Sequence, residues 1–149
     1  MPSYRAPVEN VQFLLNDVFA FHGRNNLRGF ADASPDLIQA VLVEGAKLAE
    51  GVLTPLNAVG DRQGCTRQAD GSVSTPDGFK AGYDAYAEGG WMGISVPEEY
   101  GGQGLPHTIN TAISEFTSSA NLALAMYPGL TQGAMAALLV HGSEEQKAT

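Results

Sequence analysis

The chain has 149 residues, of which 44% are hydrophobic and 16% charged, and its formal net charge is −8 at pH 7. This length predicts one domain, and the composition is typical of a globular protein with a proper core. The acidic balance counts against nucleic-acid binding, which needs clusters of Lys and Arg. The single cysteine, Cys65, excludes an internal disulfide and a cysteine-based metal site.

Nothing in the sequence indicates a membrane span, an export signal or a metal centre. The longest apolar runs, such as residues 136–140, fall short of the roughly 20 residues that a spanning helix needs. Residues 1–10 lack the apolar region of a secretory signal, so we expect a cytoplasmic protein. His22, His107 and His141 lie far apart without an acidic neighbour at helical spacing, which predicts no metal site.

The N-terminal part begins with an extended segment that ends at Pro7, because the residue before a proline avoids the α region. Residues 8–21 place apolar side chains three and four apart, which predicts an amphipathic helix closed by His22 and Gly23. We interpret residues 3–33 as an N-terminal extension whose apolar face packs on the main body. A short core helix of the same domain is the alternative.

A second helix has a strong start signal at Ser34-Pro35-Asp36, with an N-cap serine, a proline and an acid at the positive end of the dipole. It is predicted to reach about Leu53 and to stop before Pro55. Gly45 falls on its apolar line, at a cost of roughly 1 kcal/mol against alanine. This glycine predicts a close crossing with another helix.

Irregular structure is predicted for residues 57–75, with a turn at Asp70-Gly71. Thr75-Pro76-Asp77 repeats the cap, proline and acid pattern and should open a third helix that ends at Gly89. Pro106 should start a fourth helix. Its predicted inward residues are Ile109, Ala112, Ile113 and Phe116.

Between the third and fourth helices, residues 89–106 are dense in glycine and proline and predict a long, defined turn. The turn does not match a nucleotide-binding loop, because Gly102-Gln103-Gly104 lacks the third glycine and no Gly-Lys-Ser/Thr follows. Glu98 and Glu99 are adjacent and are interpreted as solvated turn acids. No serine has the context of a nucleophile. The residues alone therefore predict no self-sufficient active site.

The last part of the chain predicts a mostly buried helix over residues 120–140, kinked or broken at Pro128-Gly129. After Gly142, Ser143 and Gln146 form the pattern of a capping box. That pattern predicts the start of a new helix barely one turn before Thr149. A helix of one turn is not stable alone. We therefore expect the chain to be part of a longer protein.

Two of these motifs carry a resemblance to a known family. Residues 90–94 (GWMGI) and 97–104 (PEEYGGQG) resemble the N-terminal domain signature of the acyl-CoA dehydrogenases. Residues 142–147 (GSEEQK) are similar to the helix start that closes that domain. The resemblance covers about residues 37–149. Residues 3–33 resemble the extra N-terminal segment of a longer bacterial subgroup that includes the 3-methylthiopropanoyl-CoA dehydrogenases.

The resemblance implies an all-α fold, the helical N-terminal domain that precedes a middle β-domain in these flavoproteins. It implies a longer, homo-oligomeric enzyme in which a glutamate removes the α-proton of an acyl-CoA thioester and FAD accepts the β-hydride. An electron-transfer flavoprotein or a similar acceptor would take the electrons. The glutamate and the flavin contacts are expected beyond Thr149, so the chain alone is predicted to be inactive and to bind no flavin.

By resemblance, the chain supplies one wall of the acyl pocket. The family's acyl-tail positions, counted back from residues 142 and 143, fall at Met126, Tyr127, Gly129 and Leu130. A break at Pro128 would open space there, and Met and Tyr are adaptable linings for an apolar tail. The alternative is that these are simple core residues.

Two other functions stay open at this point. The same domain also occurs in acyl-CoA oxidases and flavin monooxygenases, so the chemistry could differ within the resemblance. A non-catalytic helical interaction module is the other possibility, although a complete module should not end inside a helix start. We divide the chain into the extension, residues 3–33, and the helical domain, residues 34–149.

Overall fold

The structure is a computed structural model that describes residues 4–27 and 29–148; Ser3 and Thr149, the outer bounds of the two predicted segments, lie outside them. The predicted all-α class is confirmed, because helices dominate the described residues and the one sheet has two short strands. The elements are α1 (Val8–Phe13), α2 (Pro35–Leu48), α3 (Thr54–Gln63), β1 (Thr66–Arg67), β2 (Val73–Ser74), α4 (Phe79–Glu88), α5 (His107–Ala120), α6 (Leu122–His141) and α7 (Glu144–Lys147).

The helix after Ser34 starts as predicted but does not stop before Pro55. The Ser34 hydroxyl accepts a hydrogen bond from the Leu37 amide at 3.2 Å. At the other end, a π-helical turn, Ala49–Leu53, joins α2 to α3 without a break. This wider turn relieves the clash between a proline ring and the carbonyl four residues earlier. The prediction of irregular structure from residue 57 is therefore wrong up to Gln63.

The N-terminal helix is shorter than predicted. It runs through α1 and a π-helical turn, Leu14–Val18, and not to Phe21. The backbone turns at Ala20, which has φ 46°. That turn brings the Phe21 ring into the core, with its centroid 4.9 Å from that of Phe30. Part of the predicted apolar stripe faces solvent, namely Leu14, Val18 and Phe19.

The N-terminal segment is held on the main body by the carboxylate of Glu50. Glu50 accepts a hydrogen bond from the Ala6 amide at 2.9 Å and pairs with the Arg5 guanidinium at 3.1 Å. Leu15 is buried in the common core. The segment thus shares the core with the helices that follow.

The core includes the crossing of α2 and α5, and Gly45 lies in the contact between these two helices. A Cβ at Gly45 would overlap the Cδ1 of Ile113. The close crossing predicted from this glycine is confirmed. The inward face predicted for α5 is also confirmed, since all its members are buried: Ile109, Ala112, Ile113 and Phe116.

The third predicted helix begins later than its sequence pattern indicates. Thr75 does not cap it, and α4 starts at Phe79 after Gly78, which has φ 80°. The reason is a competing contact, in which Gln63 bonds the Asp77 carboxylate at 2.9 Å and the Asp77 amide at 2.8 Å. The predicted end at Gly89 is confirmed.

Helix α6 differs most from its prediction. It is continuous through Pro128, and its buried residues are Leu124 and Pro128. Pro128 costs one hydrogen bond, about 3 kcal/mol or more in an unsupported helix. The start of the helix is held by the Asn121 side chain, which caps the Leu124 amide at 3.1 Å and donates to the Leu53 carbonyl at 3.2 Å.

The outward face of α6 is apolar and exposed, contrary to the mostly buried helix predicted. By length and mean hydropathy, 1.4, α6 is apolar enough to cross a membrane, a test that core helices of water-soluble proteins also pass. It packs on α3, α4 and α5. Its large exposed apolar residues are Leu122, Met126, Tyr127, Leu130, Leu138 and Val140.

Candidate functional site

The glycine-rich turn folds into a closed loop beside α5 and α6. Its two arms bond each other, because the Gln103 amide donates to the Gly93 carbonyl and the Leu105 amide to the Ile94 carbonyl, each at 2.9 Å. Gly102 passes so close to the other arm that a Cβ would overlap the Val96 carbonyl. The loop is therefore a defined structure, as its composition predicts.

The glycine-rich end of this loop, residues 101–105, has its amides engaged within the loop. The amides of residues 101 to 105 all donate to carbonyls of the same loop. A phosphate cradle needs several free amides pointing at one spot. These five amides are therefore not free to hold a phosphate.

The loop also contacts the short helix that carries the capping box. The Tyr100 hydroxyl donates to a carboxylate oxygen of Glu144 at 3.4 Å, and Lys147 pairs with the other oxygen at 2.9 Å. The hydrogen bond from Lys147 lowers the pKa of Glu144 below its ordinary value. Both bonds of the predicted capping box between Ser143 and Gln146 are present. The two motifs that carry the family resemblance thus meet in space.

A polar cluster beneath the loop fixes the rotation of α6. The Gln132 amide nitrogen lies 3.2 Å from Asn110 Oδ1 and 3.4 Å from the Tyr86 hydroxyl, with the carbonyls of Trp91 and Met92 at 3.5 Å. An amide nitrogen carries two hydrogens, so these acceptors share them. Burial raises the pKa of Tyr86, and the bond from Gln132 opposes that rise.

Since Gln132 points inward, the opposite face of α6 must point outward. Leu124, Pro128, Gln132, Met135 and Leu139 are buried or half-buried and follow one another at helical spacing. Sequence reasoning missed this cluster. A lone glutamine in an otherwise apolar helix is the signal that could have indicated it.

The four predicted acyl-contact residues all lie on or beside that outward face. Leu130 and Met126 are 75% and 61% exposed and point away from the core, whereas Tyr127 is 41% exposed. Gly129 is exposed, and a Cβ there would meet no heavy atom within 4 Å. The helix break that was predicted to open a pocket here does not occur. This part of the argument for the site is therefore wrong. The assignment of the four residues stays a prediction.

The four residues do not form a single line. At about 100° per residue, Tyr127 and Gly129 lie on opposite flanks, roughly 160° apart around the helix axis. Met126 and Leu130 lie between them, nearest the outward direction. A ligand that touches all four must cross α6 and cannot lie along one edge of it.

The Tyr127 flank borders an open groove of about 410 Å³ between α4 and α6. Aromatic rings of Phe79, Tyr83 and Tyr127 form most of its lining, with Thr75 and Lys80 completing it. The Lys80 ammonium pairs with Asp84 at 2.6 Å. This groove was not predicted, because its two walls come from segments far apart in the sequence.

Other candidate chemical groups stay apart. Glu98 and Glu99 are exposed in a 3₁₀ turn, as the interpretation as solvated acids requires. Among residues 4–27 and 29–148, no three His, Cys, Asp or Glu side chains come together as a possible metal site. The arrangement offers an apolar surface and not a reacting group.

Comparison with known proteins assigns this fold. Residues 66–149, more than half of the chain, match the family model described as "Acyl-CoA dehydrogenase, N-terminal domain". The chain belongs to the acyl-CoA dehydrogenase family. The matched region runs from the hairpin to the capping-box helix and contains both the glycine-rich loop and α6.

Two relatives align over nearly all of this chain of the acyl-CoA dehydrogenase family. One is a 3-methylmercaptopropionyl-CoA dehydrogenase of Ruegeria pomeroyi, 34% identical over 98% of this chain and 25% of its own length. The other is a broad-specificity linear acyl-CoA dehydrogenase of Mycobacterium tuberculosis, 32% identical over 99% of this chain and 24% of its own length. The chain spans about a quarter of the length of these relatives.

Proposed function

We propose that this chain is the N-terminal part of an FAD-dependent acyl-CoA dehydrogenase, in which it forms one wall of the acyl pocket. The full-length protein would carry out the α,β-dehydrogenation of an acyl-CoA thioester. FAD would accept the hydride and would be held by parts of the protein outside this chain, since the amides of residues 101–105 are already bonded within the glycine-rich loop. The full-length protein would be a cytoplasmic homo-oligomer, and an electron-transfer flavoprotein or a similar acceptor would take its electrons.

One observation carries the assignment of the wall. The outward face of α6 presents Met126 and Leu130 to the outside, while Gln132 and Asn121 hold the helix from the other side. Contiguous exposed apolar surface on a soluble domain is typical of binding sites and interfaces. A rigid apolar surface with no charged group is a suitable wall for an acyl chain.

The names of the two matched relatives indicate the class of substrate. Both matched relatives are named as dehydrogenases of acyl-CoA thioesters, one with linear acyl chains. We infer that linear acyl-CoA thioesters are also the substrates here. Both motifs of the family domain are present and in contact through Tyr100 and Glu144, which favours part of such an enzyme over a non-catalytic module.

The test is product analysis with the purified full-length protein. It should contain bound flavin and convert a linear acyl-CoA to the 2-enoyl-CoA in the presence of an artificial electron acceptor. Oxygen consumption with peroxide release would assign an oxidase, and a requirement for a reduced nicotinamide would assign a monooxygenase. A protein without flavin that leaves acyl-CoA unchanged would refute the proposal.

A further inference from the structure

We propose that the groove between α4 and α6 receives the methyl end of a long linear acyl chain, with Tyr127 at its entrance. This proposal rests on the proposed function and adds to it the place where long substrates end. It assigns a role in binding to Thr75, Phe79 and Tyr83, which are not among the four predicted acyl-contact residues.

The lining of the groove is mostly apolar and suits an aliphatic chain. Phe79 is 4% exposed and Tyr83 half-buried, so both rings are fixed by the body of the domain. The charged group at the rim, the Lys80 ammonium, is engaged by Asp84 at 2.6 Å. What remains is an apolar trough, and its volume of about 410 Å³ falls within the usual range of ligand pockets, about 300–1,000 Å³.

The groove is continuous with the surface that carries the predicted acyl contacts. Tyr127 belongs to both, because it lies on the flank of α6 that faces α4. A chain that crosses α6 over Met126 and Leu130 reaches the groove when it passes Tyr127. Gly82 lets α4 approach both α3 and α6, since a Cβ there would overlap the Leu56 side chain and lie 3.1 Å from the Leu124 side chain. The two surfaces therefore form a single path.

The test is to fill the groove with a larger side chain and to measure how kcat/KM depends on acyl chain length. Thr75 is exposed at the rim, so Thr75→Trp adds an indole over the groove without removing a core side chain. In the full-length protein, kcat/KM should fall about 10- to 200-fold for palmitoyl-CoA and stay unchanged for butyryl-CoA. The chain length at which the loss begins should exceed that for Gly129→Leu, because position 129 lies earlier on the path.

A matched control separates the groove from a general effect of tryptophan. Thr111 is an exposed threonine on α5 outside the groove lining, and Thr111→Trp should leave the chain-length profile unchanged. Thr75→Leu should change the chain-length profile in the same direction but by a smaller amount. This variant replaces Thr75→Trp in the test if the tryptophan variant does not fold. Flavin content and Tm should match the wild type.

Three results would overturn the proposal. An unchanged profile in Thr75→Trp, with wild-type activity on palmitoyl-CoA, would overturn the groove alone. A uniform loss at all chain lengths with a lower Tm would mean that protein and not substrate fills the groove. A wild-type protein that dehydrogenates no acyl-CoA would refute the proposed function and the groove with it.

Discussion

Replacement of Gly129 by leucine separates a binding role from a packing role, because the two predict opposite effects on stability. In the described chain, a Cβ at position 129 meets no heavy atom within 4 Å. The new isobutyl group therefore has room, and removal of a glycine from a helix interior stabilises the helix by about 0.5–1 kcal/mol. The Tm of the 149-residue chain should stay equal or rise by up to about 2–4 °C.

In the full-length protein the same side chain would occupy space that the acyl chain needs. Each methylene that loses apolar burial costs about 0.8 kcal/mol, and overpacking adds about 1–3 kcal/mol. We therefore expect kcat/KM for acyl chains that reach Gly129 to fall about 10- to 200-fold, with little change for shorter ones. The assay is a series of saturated acyl-CoA substrates measured at fixed enzyme and acceptor concentrations.

The matched control is Gly51→Leu. Gly51 is also exposed and has no heavy atom within 4 Å of an added Cβ, but it belongs to the turn Ala49–Leu53 and not to α6. This variant should keep the wild-type chain-length profile. If Gly129→Leu lowers activity equally for all substrates and lowers the Tm, Gly129 is a packing residue and the acyl-wall reasoning is refuted.

Three further predictions concern the described contacts. Gly45→Ala should destabilise the chain by about 1–3 kcal/mol in urea unfolding, because its methyl group would overlap Ile113, and Ile113→Val should restore part of that loss. Gln132→Leu should cost about 1–3 kcal/mol, because it leaves buried acceptors unsatisfied; wild-type urea stability would contradict this. As the pH falls through the lowered pKa of Glu144, its contact with Lys147 should be lost, and Lys147→Ala should raise that NMR titration midpoint.

The sequence predicted best those elements in which local signals and core packing agree. The inward face of α5 was correct in all four positions, because a helical period and a proline start both indicate it. Ser34 and the capping box at Ser143 were correct for the same reason, since each cap is a contact within one turn. Gly45 correctly indicated a tertiary contact, because a glycine on the apolar face of a helix destabilises that helix unless a neighbouring element packs closely against it.

The errors arise where a distant residue decides the local structure. Pro55 fails to stop its helix because a π-helical turn precedes it, and sequence periodicity does not predict that turn. The cap at Thr75 is lost because Gln63 holds Asp77 from another helix. The prediction that α6 is buried rested on its apolar composition alone. The same composition is also typical of a surface that binds a ligand or another part of the protein.

The candidate site was predictable only in part. The resemblance located α6 and its residues, but it could not show that Tyr127 and Gly129 lie on opposite flanks of the helix. The groove beside Tyr127 also needed the structure, because Phe79 and Tyr83 join it through the packing of α4. The resemblance thus assigned the site to α6, and tertiary packing determined which way each of its residues points.

Photolabelling tests most directly whether α6 forms a wall of the acyl pocket. The full-length protein would be irradiated with a medium-chain acyl-CoA that carries a diazirine at its terminal carbon, and the labelled residues would be mapped by mass spectrometry. We predict labels on Met126, Tyr127 or Leu130, and protection by unlabelled substrate. Labels that lie wholly outside α6, or that unlabelled substrate does not suppress, would contradict the assignment.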